Sequence, residues 1–195
     1  EEKIRDIYGD DQLRAATIGV AGEKMVRFAN VTNDGRQAGR TGHGAVWGSK
    51  KLKAVAVRGT HGITVADPDT LLKMSFDITE SAQGPYTEKY RLYGTSTNML
   101  NMNKLGLLPT RNYQEGVFEF AHLVSGEYLD EHHKVKVIGC TQCPIGCEQM
   151  SIVKRGPFTG AMTGVEYECL QAVSSNLGIG DMTAAIQLVD IADRC

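Results

Sequence analysis

The chain has 195 residues, 42% hydrophobic and 23% charged, with a formal net charge of −2. That is enough apolar material for one or two cored domains, and the near-neutral balance leaves no basic surface for nucleic acid. No apolar run approaches the roughly 20 residues of a membrane-spanning helix, and five cysteines, an odd number, argue against a disulfide framework and for a reducing, cytoplasmic setting. The chain opens on Glu1-Glu2-Lys3, with no initiator Met and no signal-peptide pattern, and closes within a helical pattern that has no exit signal. It is read as an internal piece of a longer protein.

The first sixty residues read as strands. Residues 15–20 and 24–31 flank Ala21-Gly22-Glu23, the pattern of a hairpin. A turn-rich segment from Thr32 to Gly35 follows, then a glycine-punctuated run from Gly39 to Gly48 and a short apolar strand over residues 52–57. At Asp67-Pro68-Asp69 the period changes to that of a helix over residues 70–78, with Asp67 or Asp69 as the N-cap and proline in the first turn. From there the pattern is helices joined by polar loops. The last helix is capped by Asp181 and carries Met182, Ala185, Ile186 and Val189 on one face. The expected class is α+β, strand-rich before a boundary near residues 60–66 and helical after it.

Three runs carry chemistry. Cys140, Cys143 and Cys147 are spaced C-x2-C-x3-C with Pro144 after the second thiol, which points several sulfurs at one centre. Such thiolate clusters hold iron–sulfur cubes or zinc. Zinc ordinarily takes two separated pairs and no second pair exists, while His132 and His133 sit in a charged, solvated stretch. A cube needs a fourth ligand. Cys169 is one candidate, and a packed thiol is the plainer reading of it. The run Gly39-Arg40-Thr41-Gly42-His43-Gly44-Ala45 lets backbone N–H groups approach an anionic ligand, with Arg40, Lys50 and Lys51 adding positive charge. It matches neither the P-loop nor the dinucleotide fingerprint, and a structural glycine-rich turn is the alternative. Glu166 and Glu168 follow a glycine-bearing loop. They are candidates for general acid–base work, or simply first-turn carboxylates that complement a helix dipole.

Taken together, these runs resemble the tungsten-dependent aldehyde:ferredoxin oxidoreductases. The stretch from Ala38 to Ala54 resembles that family's pterin-contacting segment, Cys140 to Cys147 its cluster motif, and Gly164-Val165-Glu166-Tyr167-Glu168 its glutamate element. The segments Ile18–Glu23 and Leu108–Gly116 fit in the same order. The resemblance implies an α+β fragment. Residues 1–62 would be the C-terminal part of a β-rich, pterin-cradling base domain, and residues 63–195 the start of a helical domain carrying the cluster cysteines. It implies a 4Fe–4S cluster on Cys140, Cys143 and Cys147, with the fourth cysteine from a later domain and Cys169 left to packing. It further implies a bis-pterin tungsten (or molybdenum) centre beside Gly39, Arg40, Gly42, His43, Gly44 and Ala45. Glu166 would be the active-site carboxylate, with Glu168 second. Aldehyde would be the substrate and ferredoxin the electron acceptor, with homo-oligomerisation left open. The sequence departs from the family at Thr41 (commonly glycine), His43 (leucine), Trp47 (methionine) and Val165 (proline). Three rivals stand beside this reading: a relative that reduces aromatic thioesters or acids, a formate-dehydrogenase-like or dimethyl-sulfoxide-reductase-like enzyme with Cys169 as fourth ligand, and a non-catalytic metal-binding module.

Overall fold

In the computed structural model, which describes residues 1–195, helices and two small antiparallel sheets give an α+β chain. Its contacts divide into two units: residues 1–65 with 192–195, and residues 66–191.

The first unit runs α1 (Glu2–Tyr8), β1 (Arg14–Thr17), α2 (Val20–Glu23), β2 (Val31–Asn33), β3 (Arg36–Ala38), α3 (His43–Ser49) and β4 (Ala54–Val57). Its sheet has the order β3-β2-β1-β4, every pair antiparallel. The β2–β3 hairpin closes through Asp34 and Gly35, both left-handed (φ 46° and 76°). Asp-Gly at these two positions is what a right-twisted two-residue hairpin demands. Ala15, Ile18, Ala29 and Val31 are the buried apolar residues of this unit.

The hairpin expected around Ala21-Gly22-Glu23 does not form. A turn of helix, α2, occupies those residues and ends where Met25 turns left-handed (φ 55°), so β2 starts only at Val31. Strands β1 and β2 still pair, with Ala16 opposite Asn33, but across a longer connection. The physical reason lies in the glycines. A Cβ on Gly48 would stand 1.9 Å from the Gly22 carbonyl oxygen, and one on Gly44 would stand 2.3 Å from that of Asn30. Helix α3 therefore packs backbone-to-backbone on α2 and the loop after it, a contact that leaves no trace in side-chain alternation.

The second unit contains α4 (Pro68–Ala82), α5 (Glu88–Tyr93), α6 (Asn98–Lys104), α7 (Gly126–His132), β5 (Lys134–Ile138), β6 (Glu148–Ile152), β7 (Met162–Val165), α8 (Tyr167–Val173) and all but the last residues of α9 (Met182–Arg194). Of the two cap candidates for α4, Asp67 is the one used: its carboxylate accepts from the Thr70 N–H at 3.0 Å, and Pro68 takes the first helical position. For α9, Asp181 accepts from the Thr183 N–H at 2.8 Å. Met182, Ala185, Ile186 and Val189 are buried on one face of that helix. Phe118, Leu129, Leu170, Ile186, Met99 and Leu108 form the centre of the core.

Expected as helices and loops alone, this half also holds a three-stranded sheet, β5-β6-β7. Strand β5 leaves Val135 and Val137 exposed, and the inward face of β6 is Gln149 and Ser151. Polar residues inside and apolar ones outside invert the alternation by which a strand is read. A second departure is local. Arg111, Asn112 and Tyr113 are all left-handed (φ 47°, 58° and 62°), although non-glycine residues ordinarily visit that region singly. The turn is pinned by N–H bonds from Arg111 to Ser175 O (2.9 Å) and from Asn112 to Asn176 O (2.7 Å), and by ion pairs from Arg111 to Glu115 and Glu119.

Candidate functional site

The glycine-rich run lies in the first unit, between β3 and the end of α3. Gly42 and Gly44 are buried, whereas Arg40, Thr41 and His43 are exposed and Gly39 and Ala45 half-buried. Gly42 has φ +74°, and a Cβ there would stand 1.9 Å from the Arg27 carbonyl oxygen. The glycines are thus required by close packing within the unit, and the outward face belongs to Arg40, Thr41 and His43. Thr41 is itself left-handed (φ 77°), a strained state for a β-branched residue. Its hydroxyl lies 3.1 Å from His43 Nε2, tying the two departures from the family pattern to each other.

The cysteine loop lies in the second unit, in the connection from β5 to β6. Cys143 N–H donates to Cys140 O at 2.9 Å, and the loop turns twice through left-handed residues, Gln142 (φ 62°) and Gly146 (φ 63°). Gly139 makes the loop's closure possible: a Cβ on it would come 2.9 Å from the Cys143 carbonyl oxygen. All three thiols are free. Those of Cys140 and Cys143 are exposed and that of Cys147 is half-buried. Burial pushes the Cys147 thiol up, helped first by the Glu166 carboxylate and then by the other two thiols, so all four groups share one electrostatic neighbourhood. No three acidic, histidine or cysteine side chains are already closed around a single point. The donor set nonetheless fits a cluster: three soft sulfurs on a glycine-closed loop suit iron–sulfur ligation.

In metal-free full-length protein, alkylation at mildly alkaline pH is expected to reach Cys140 and Cys143 several-fold faster than Cys147. The thiolate is the reacting form, and burial keeps the Cys147 thiol protonated to higher pH. Mass spectrometry of time-quenched samples checks the order. Equal rates would mean that Cys147 is not shielded.

Glu166 is the N-cap of α8, and its carboxylate accepts from the Cys169 backbone N–H in a capping box. In return, the Glu166 N–H faces Cys169 Sγ at 3.3 Å and Cys169 S–H donates to the Glu166 carbonyl at 3.1 Å. Cys169 is half-buried and serves this cap, a more specific role than the packed thiol expected of it. Glu168 is exposed in the first turn of α8. The sequence reading did not single out Tyr167. Its N–H donates to Thr95 Oγ1 at 2.9 Å, and burial raises its phenol, with Glu168 and Tyr113 adding to the effect. Tyr113, on the left-handed turn, therefore lies near the glutamate element, a proximity carried by backbone geometry that no residue pattern encodes.

Comparison with known proteins gives concordant results. The family profile of the aldehyde ferredoxin oxidoreductase N-terminal domain matches residues 1–59. That of aldehyde ferredoxin oxidoreductase domains 2 and 3 matches residues 73–195. The chain is 40% identical over 197 residues to a tungsten-containing aldehyde ferredoxin oxidoreductase of Pyrococcus abyssi, covering 100% of this chain and 32% of the relative. It is 41% identical over 190 residues to the Thermococcus kodakarensis protein of the same description, covering 96% and 31%. An aliphatic sulfonate oxidoreductase WOR-like subunit of Pyrococcus furiosus is 28% identical over 100% of this chain and 31% of that protein. Among solved structures, the active site complex BamBC of benzoyl coenzyme A reductase with 1,5-dienoyl-CoA superposes with a TM-score of 0.71 at 22% identity, over 99% of this chain and 31% of that one. That likeness is one of fold. The chain spans about a third of the length of the curated relatives it matches.

Proposed function

Because this chain belongs to the aldehyde ferredoxin oxidoreductase family, we propose that it is part of an enzyme that oxidises aldehydes to carboxylic acids and passes the electrons to ferredoxin. The observation that carries the reading is the loop of three free thiols, closed by Gly139, inside a chain that the family profiles match over most of its length. Residues 1–62 would be the end of a β-rich pterin-binding domain and residues 63–195 the start of the helical domain.

Cys140, Cys143 and Cys147 would hold three corners of a 4Fe–4S cluster, the fourth thiolate coming from a later part of the longer protein. Gly39, Arg40, Gly42, His43, Gly44 and Ala45 would lie against a bis-pterin tungsten (or molybdenum) centre. When bound, these groups supply the two-electron oxidation of the substrate and its onward one-electron transfers. The chain's own part is placement and proton handling. Arg40, exposed two residues before the buried Gly42, offers a planar cation to an anionic cofactor group. Glu166 would accept or return a proton at the substrate, its carboxylate oriented by the Cys169 N–H at the start of α8. Glu168, one position past Tyr167, would be the second carboxylate. A cytoplasmic setting is part of the proposal, resting on the odd cysteine count; no helix of the chain is long and apolar enough to cross a membrane.

The test is anaerobic purification of the full-length protein, with metal analysis and an assay of aldehyde-dependent reduction of a viologen dye and of ferredoxin. Tungsten or molybdenum together with iron, and aldehyde-dependent reduction, are the expected results. Zinc as the sole metal, or formate oxidation without aldehyde oxidation, would reject the reading.

A further inference from the structure

Gln149 stands two residues beyond Cys147, on β6, and is 1% exposed. Neither its Nε2 nor its Oε1 has a hydrogen-bond partner in the chain. A buried polar group left without a partner forfeits the hydrogen bonds it made to water, so an amide orphaned at both ends calls for a ligand. Its surroundings indicate which one. By the two-residue period of β6 continued one residue back, Cys147 and Gln149 project to the same side.

Gly94 is the wall they share. A Cβ there would stand 2.7 Å from Cys147 O, 2.7 Å from Gln149 Cγ and 3.1 Å from Gln149 Nε2. Gly94 also adopts φ 66° and ψ −171°, a backbone state that essentially only glycine takes. The fold therefore places a glycine where any side chain would collide with the Gln149 carboxamide and with the main chain of the third cysteine. Ser96, two residues on and 0% exposed, has a hydroxyl that is likewise unpartnered.

We propose that the Gln149 carboxamide is a positioning residue for the cluster, donating an N–H to sulfur at the Cys147 corner. This deepens the functional reading above and rests on Cys147 being a cluster ligand. A donor at cluster sulfur stabilises the more negative, reduced state, so Gln149 holds the one-electron reduction potential up. It also explains why an amide is kept in a face otherwise suited to an apolar residue.

The experiment is an EPR-monitored redox titration of the full-length, cluster-loaded enzyme, comparing wild type with Gln149→Met and Gln149→Leu. Methionine keeps the length and packing of glutamine and removes both N–H donors. Iron content and thermal unfolding are measured on the same samples. The expected result is full iron content with a lower potential in both variants. The reduced-to-oxidised ratio at a fixed poise should fall about tenfold, equivalent to about 59 mV for a one-electron couple. An unchanged potential at full iron content, with Gln149→Met as stable as wild type or more so, overturns the proposal and leaves the cluster reading intact. Wild-type protein that binds no iron overturns both.

Discussion

Replacing Cys140, Cys143 or Cys147 by serine in the full-length protein is expected to remove most of its cluster iron and the visible absorbance that goes with it, whereas Cys169→Ala should keep both. The three thiols are free, two of them exposed, on a loop whose turns at Gln142 and Gly146 bring them into one neighbourhood. A hydroxyl is a poor substitute for a soft thiolate at iron. Removing one of the three proposed local ligands would leave two, too few to retain a cube whose remaining support would come from elsewhere in the protein. Cys169 behaves differently because its sulfur is already engaged with the backbone of Glu166 at 3.1–3.3 Å. Its loss should cost a cap's worth of stability, about 1 kcal/mol, and no iron. Iron and acid-labile sulfide determinations on the four variants decide the matter. Iron lost from Cys169→Ala and retained in Cys147→Ser would reverse the assignment, making Cys169 the ligand and the formate-dehydrogenase-like rival the better account.

Gly42→Ala is expected to destabilise the first unit by about 3 kcal/mol or more, the sum of a strained backbone and a forced contact. Its φ of +74° disfavours any Cβ, and the added carbon would stand 1.9 Å from the Arg27 carbonyl oxygen, a backbone atom with no rotamer to change. To admit it, α3 must lift from the loop after α2, and Gly44 and Gly48 would lose their close approaches with it. Denaturant unfolding of the purified variant measures the loss, and its tungsten or molybdenum content should fall in parallel. A shift below about 1 kcal/mol would show that α3 can move away freely and that the glycines are not needed for packing. Thr41→Gly is the informative control, because it relieves a left-handed threonine in the same loop without touching the packed face.

The legible parts of this chain were those whose cause is local. The cap at Asp67 with Pro68 behind it specifies α4 although that helix buries none of its residues, because a side-chain cap and a fixed proline φ act within a single turn. The Asp181 cap and the four-residue apolar face of α9 are equally local, and both appear where the pattern puts them. The cysteine spacing and the glutamate element could be quoted from the residues alone, since ligand type and turn glycines are written in the order of the chain. Where the reading failed, the cause was contact between distant backbones. Helices α2 and α3 exist because Gly22, Gly44 and Gly48 let two main chains touch, and a missing side chain carries no periodicity to read. The sheet of β5, β6 and β7 was hidden because its inward residues include Gln149 and Ser151.

Sequence by itself therefore determined the chemistry on offer: three thiols at cluster spacing, two glutamates after a glycine-bearing loop, and a glycine-rich run with Arg40 in it. Only the tertiary structure decided how those groups are used. It turned Cys169 to the backbone of Glu166, set the glycines to internal packing while Arg40 and His43 face outward, and buried the amide of Gln149 beside Cys147 with Gly94 holding the space. The division has one physical reason. Donor identity and spacing are properties of neighbouring residues, while burial, pairing and close approach are properties of segments far apart in the chain, and nothing in a local pattern records which of them will meet.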